Sequence, residues 1–339
     1  MMSGLRPAYT ADVEKETAAI RTRIAAVTDD QRWQHAAPYI AAINRLKKEK
    51  NAVILAHNYQ VPEIFSGVAD ITGDSLKLAQ EAAKSGAAVI LQAGVYFMAE
   101  TSKILNPDKT VLIPSLEAGC SLASSITAAD VRLMRQKYPG VPIVTYVNTS
   151  AEVKAESDIC CTSGNAVKIV NAMRDETGQN SVIFLPDEYL AKYVASKTDV
   201  NIISWKGHCE VHERFSPEYI AELRAEHPGL VVLAHPECDS GVLEASDFVG
   251  STAQMADYVT QKQPPRVVLI TECSMSDNVY AANPHLEFIR PCQLCPHMKK
   301  ITLENILYSL ENMTHEVTID PAVQKPALRA IQRMLEVGR

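Results

Sequence analysis

The residues best suited to chemistry in this chain are thiols. Eight cysteines stand at positions 120, 160, 161, 209, 238, 273, 292 and 295, and the last two form a CxxC within RPCQLCPHM. A CxxC serves a zinc site, a dithiol switch or an iron–sulfur centre. No second CxxC and no H-x3-5-H follows Cys295, so a metal bound there needs ligands from far away in sequence. Such ligands occur in register: SLEAGC, SWKGHC and RPCQLC each follow a β-branched run and place Cys120, Cys209 and Cys295 at spacings of 89 and 86 residues. Three thiolates brought to one point make a soft-metal site. Cys160, Cys161, Cys238 and Cys273 read as small core hydrophobes. Cys292 reads as a bystander, or as a labile disulfide partner of Cys295.

Other reactive groups share the same spacing. ILAHNY, IVTYVN and VLAHPE put His57, Tyr146 and His235 at the ends of equivalent apolar runs, 89 residues apart each time. DITGDS, DICCTS and DFVGST follow, opening on Asp70, Asp158 and Asp247 and reaching Ser75, Ser163 and Thr252 five residues later. These hydroxyls are either ordinary helix caps or donors to an anion at a helix N-terminus. Two histidines in equivalent slots, opening HNY and HPE, are candidates for proton transfer.

The elements that must carry these groups are legible too. Short β-branched runs at 52–55, 88–93, 111–114, 142–147, 181–185, 201–205, 230–234, 266–270 and 286–289 alternate with helical patterns. Such alternation predicts βαβ units and parallel sheets. ITAADVRLMRQKYPG and FSPEYIAELRAEHPG repeat a helix with Thr127 and Ser216 as N-caps and Gly140 and Gly229 as stops. The fold expected is α/β: three similar αβα-sandwich domains with parallel sheets about a pseudo-threefold axis. Their expected bounds are a helical extension over 1–35, domains over 36–125, 126–215 and 216–300, and C-terminal helices over 301–339 packing back on the body.

Composition limits the function classes. The 339 residues are 47% apolar, enough for a sizeable core. A net charge of -7 argues against a nucleic-acid or anionic-membrane surface. Apolar runs are too short to span a bilayer, and MMSGLRPAYT offers no apolar signal region, so a cytoplasmic protein is expected. No GxGxxG follows a strand, which leaves a dinucleotide-binding Rossmann domain without support. Three thiolates on a cubane leave one iron open as a Lewis acid, which suits dehydration. A zinc-thiolate lyase and a non-catalytic metal or redox scaffold are the alternatives.

AHNYQVPEI, GDSLKLAQ, AGVYFMAETSKILNP, SLEAGCSLA, YVNTSAEVKAESD, FLPDEYLAKYV, WKGHCEVHERF, AHPEC, DFVGST and CPHMKKITLENI, in this order from about residue 36 to 312, resemble the quinolinate synthase family of bacterial NAD biosynthesis. The resemblance implies an oxygen-sensitive [4Fe-4S] cluster held by Cys120, Cys209 and Cys295. It implies condensation of iminosuccinate, supplied by L-aspartate oxidase, with dihydroxyacetone phosphate, losing phosphate and two waters to give quinolinate. It places substrate contacts on His57, Tyr59, Ser75, Tyr146, Asn148, Ser163, His235, Glu237, Ser251 and Thr252. Of these, Glu237 is expected to act as general base or acid with Tyr146, His57 and His235, while Tyr59 and Asn148 orient the substrate. Some members carry CxxCxxC where this chain has CxxCPHM, which weakens a redox role for its CxxC.

Overall fold

The computed structural model describes residues 7–338; residues 1–6 of the expected N-terminal extension lie outside that range. Among the described residues there are twelve strands. The first four are β1 (Ala52–His57), β2 (Ile71–Gly73), β3 (Val89–Ala93) and β4 (Thr110–Leu112). The next four are β5 (Ile143–Tyr146), β6 (Ile159–Cys161), β7 (Ser181–Leu185) and β8 (Asn201–Ser204). The last are β9 (Val231–Ala234), β10 (Phe248–Val249), β11 (Arg266–Ile270) and β12 (Glu287–Ile289). They form three four-stranded sheets of one topology, β2-β1-β3-β4, β6-β5-β7-β8 and β10-β9-β11-β12. The pairings in the first two sheets are parallel, as are β9 with β10 and β11 with β12. The α/β class and the threefold repetition of the sequence are therefore present in the fold.

All nine expected runs form strands. The three further strands, β2, β6 and β10, are two or three residues long and carry no periodic signal. The aspartate ahead of each holds it in place. Asp70, Asp158 and Asp247 accept from the backbone N–H of Ile54, Ile143 and Val232 at 2.9, 2.8 and 2.7 Å. The backbone N–H of each aspartate donates back to the carbonyl of the same residue. Lys47, Arg135 and Arg224 each reach one of these carboxylates from the preceding helix. The repeated aspartate thus pins an edge strand, and its role is architectural.

The repeated helix also forms as the sequence predicts. Thr127 caps Ala128–Lys137 in a capping box with Asp130, and Ser216 caps Pro217–Glu226 by accepting from Tyr219 N. Gly140 and Gly229 take φ of 79° and 80°, the left-handed region where a Cβ is costly.

The described residues divide into two compact units, 7–118 with 256–317 and 119–255 with 318–338. In the first, helix Leu303–Asn312 packs on helix Asp30–Glu49. The chain then returns antiparallel along β4, with Ile113 N donating to His315 O and Val317 N to Val111 O. In the second, helix Pro321–Val337 covers β6 and helix Ala151–Ala155, and Arg333 ties it to Asp158 O and Glu176. No helix among the described residues is long and apolar enough to cross a membrane.

Candidate active site

In the second unit, the strand ends converge on Glu237. Tyr146, the last residue of β5, donates from its Oη to Glu237 Oε1 at 2.6 Å. Asn148 Nδ2 lies 3.4 Å from the same oxygen. His212, just after the Cys209 loop, stands 2.8 Å from Glu237 Oε2 through its Nδ1 and 3.2 Å from Cys209 Sγ. A carboxylate only accepts, so Nδ1 carries the proton. The His212 ring stacks on His235 at 4.7 Å and 21°. His235 Nδ1 stands 3.4 Å from Glu237 N and 3.8 Å from Glu237 Oε2.

Electrostatics follow from this packing. Burial alone would raise the pKa of Glu237; the charges of His235 and His212 and the hydrogen bonds from His212 and Tyr146 outweigh it and hold the carboxyl below the ordinary carboxylate range. Asp187, the buried N-cap of helix Glu188–Ala195, shifts the other way: burial and then the Glu237 charge push it well above the usual value. The packing thus favours the charged form of Glu237 and disfavours that of the neighbouring Asp187.

Two of the expected ligands sit in this unit. Cys120 lies just before helix Ser121–Ser124, and Ser121 joins its loop to the Cys209 loop by donating to His208 O at 3.1 Å and accepting from Glu210 N at 3.2 Å. Burial raises the Cys209 thiol pKa, and the charges of Glu237 and Cys120 raise it further against backbone N–H donors from His212 and Val211. Two thiolates within electrostatic reach of one another need a cation to stay ionised. A thiolate-bound metal centre supplies one, so the donor set fits an iron–sulfur site. Cys209, His212 and Glu237 also bring one ligand atom each within 4.8 Å. His212 Nδ1 already donates to the carboxylate, so as arranged this trio is a proton-holding network and not a lone-pair cage.

Three of the expected hydroxyl residues, Ser163, Ser251 and Thr252, lie near one another in this unit. The Thr162–Asn165 turn, closed by Thr162 N donating to Asn165 Oδ1 at 2.7 Å, carries Ser163. A Cβ on Gly164 would stand 3.4 Å from Ser251 Oγ, so this turn runs against Ser251. Thr252 is the first residue of helix Thr252–Lys262, and Ser251 and Thr252 are both buried.

In the first unit, His57 ends β1, and Tyr59 N donates to its Nδ1 at 3.2 Å, the same bond that Glu237 N makes to His235. The HNY and HPE segments therefore share one backbone turn. Tyr59 Oη lies 2.6 Å from Thr271 Oγ1, and its carbonyl accepts from Lys299 at 2.8 Å. Lys299 also pairs with the buried Glu272 at 2.9 Å. Burial raises the Glu272 pKa against Lys299 and the backbone N–H groups of Ser274 and Cys295. Cys295 is thus held by its own N–H on Glu272. Burial raises its thiol pKa, while N–H groups of Met298 and His297 point at the sulfur and lower it.

The cap reading of Ser75 needs correction. Ser75 is the first residue inside helix Ser75–Lys84, and Asp74 takes the cap by accepting from Lys77 N at 3.0 Å, because a carboxylate there also meets the positive end of the helix. Cys273 is buried as expected, and the Sγ of Cys292 lies 2.7 Å from its Sγ, a contact the sequence did not indicate. Cys160, Cys161 and Cys238 are buried as expected, and burial pushes Cys160 up to about 12. His212, Ser121, Glu272 and Lys299 were not anticipated. His212 had a signal in GHCEVH, three residues after a ligand candidate.

Known proteins resemble this chain along most of its length. The family model described as Quinolinate synthetase A protein matches residues 41–336, further toward the C-terminus than the motifs alone reach. The chain is 62% identical to Quinolinate synthase 2 of Mesorhizobium japonicum over 325 residues, 96% of this chain and 99% of that one. It is 59% identical to Quinolinate synthase of Caulobacter vibrioides over 329 residues, 97% of this chain and 90% of the relative. Identity to Quinolinate synthase of Xylella fastidiosa is 64% over 298 residues, 88% and 87% of the two chains.

Proposed function

Because the chain belongs to the quinolinate synthase family and forms quinolinate in NAD biosynthesis, we propose that it condenses iminosuccinate with dihydroxyacetone phosphate around the Glu237 network. The observation that carries this reading is the buried Tyr146–Glu237–His212 chain, which ends 3.2 Å from Cys209.

Cys120, Cys209 and Cys295 are the proposed ligands of a [4Fe-4S] cluster. When bound, such a cluster supplies a Lewis-acidic iron suited to a substrate oxygen that leaves as water. Glu237, ionised at neutral pH, accepts a substrate proton at Oε1, where Tyr146 Oη shares it. His212 Nδ1–H holds Oε2 and fixes the carboxylate plane, and the stacked His235 keeps that imidazole in place. Asn148 orients the substrate beside Glu237, and His57 and Tyr59 provide a second polar pair at the end of β1. Ser75, Ser163, Ser251 and Thr252, at or beside helix starts, bind phosphate and carboxylate oxygens. Burial of this network excludes water from the proton-transfer groups.

Iminosuccinate hydrolyses readily, so a supply by L-aspartate oxidase in the same cytoplasm completes the reading. Anaerobically prepared protein carrying about four irons and four sulfides per chain supports the cluster assignment. A colourless protein carrying zinc under those conditions overturns it.

A further inference from the structure

Cys273 and Cys292 stand apart from the proposed reaction, and their sulfurs are 2.7 Å from each other. Packed carbon atoms sit about 3.5–4.0 Å apart, and sulfur is the larger atom. Both cysteines are free thiols. They differ in access: Cys292 is exposed, whereas Cys273 is buried at the start of helix Cys273–Ala282. The surrounding chain holds them together. Cys273 N donates to Gln293 O at 3.3 Å, and Arg290 pairs with Asp277 at 2.8 Å while lying over the Tyr280 ring. The segment around Cys292 is thereby fastened to the first turns of that helix from both sides.

We propose that Cys273 and Cys292 form a dithiol–disulfide site oxidised by low-molecular-weight disulfides of the glutathione type, with Cys295 taking no part. The exposed Cys292 thiolate attacks the glutathione disulfide, forming a Cys292–glutathione bond and releasing one glutathione thiolate. The Cys273 sulfur then attacks Cys292 Sγ, expels the second glutathione thiolate and passes its proton to it. Two protein thiols and one glutathione disulfide become one protein disulfide and two glutathione thiols. Burial raises the Cys273 pKa, which fits a resolving thiol better than an attacking one. The bond would fasten segment 291–294, immediately ahead of Cys295, to the start of helix Cys273–Ala282 and leave the Cys295 thiol available to a metal. The proposal does not depend on the reaction assigned above.

The test uses the full-length, anaerobically purified protein with its metal. After incubation with oxidised glutathione, free thiols are blocked with N-ethylmaleimide. The protein is digested with chymotrypsin, which cleaves after Tyr280, Phe288 and Leu294 and so separates the three cysteines. Mass spectrometry should find the Cys273 fragment joined to the Cys292 fragment. The same link should form in Cys295→Ser and be lost in Cys292→Ser. Cys273→Ser should stop at a glutathione adduct on Cys292. A link between Cys292 and Cys295, a wild-type protein that stops at the adduct, or two maleimide-blocked thiols would each overturn the proposal.

Discussion

His212 Nδ1 lies 2.8 Å from Glu237 Oε2, and both side chains are almost wholly buried, at 1% and 4% exposure. Removing one partner of such a pair leaves the other charge without compensation. His212→Ala should therefore lower stability by about 3 kcal/mol. It should also slow turnover, because the carboxylate loses the group that orients it. Thermal melting and steady-state rates measure the two effects, and an unchanged melting temperature would remove His212 from this role.

Tyr146→Phe and Glu237→Gln act on the other end of the network. Loss of a positioned proton-transfer group costs about 10²–10⁴-fold in rate. Glu237→Gln should fall in that range with its iron content unchanged. Tyr146→Phe should lose less, since the carboxylate stays. Full turnover in a Glu237→Gln enzyme that keeps its metal would exclude Glu237 as base or acid.

Glu237 also gives a pH signature. Its folded-state pKa is depressed, so its ionised form stabilises the fold above the ordinary carboxylate value, about 4.3, and that contribution disappears as pH falls through the lower folded value. The melting difference between wild type and Glu237→Gln should be steady from pH 7 to about 5 and narrow below. A difference that widens on acidification would contradict the depressed value.

Asp187 predicts the opposite trend. Burial and the Glu237 charge raise its folded pKa, so the folded state holds a proton that the unfolded chain has released. Wild-type stability should decline as pH rises from about 4 toward that elevated value. Asp187→Asn keeps an oxygen for Leu190 N and removes the titration. The variant should gain on wild type with rising pH in melting experiments, and parallel curves would contradict the protonated Asp187.

Ser75 and its neighbour separate binding from capping. Asp74 caps the helix, so Asp74→Ala should cost about 1 kcal/mol, whereas Ser75→Ala should stay within about 0.5 kcal/mol. If Ser75 binds substrate, its variant should instead raise KM. A large stability loss in Ser75→Ala with unchanged KM would make the hydroxyl structural.

The fold was legible because the signals repeat. An 89-residue spacing carries Thr127 and Ser216 to identical caps and His57 and His235 to identical turns. β2, β6 and β10 lie in the repeated DITGDS, DICCTS and DFVGST segments but do not read as strands, because two or three residues cannot display a period and their aspartates act through backbone hydrogen bonds. The ligand candidates and Glu237 were readable as motifs. His212 shows only as a histidine three residues after Cys209, since its importance comes from folding back onto a carboxylate 25 residues later in the chain. The Cys273–Cys292 approach is invisible in sequence, where the CxxC spacing points to Cys295 instead.

The measurement closest to the central claim is anaerobic quinolinate formation from iminosuccinate and dihydroxyacetone phosphate, with iron counted in the same samples. Wild type, Cys160→Ser and Cys238→Ser should bind iron and make quinolinate. Cys120→Ser, Cys209→Ser and Cys295→Ser should each lose iron and activity together. A Cys120→Ser, Cys209→Ser or Cys295→Ser enzyme with full iron and wild-type turnover would contradict the three-thiolate site.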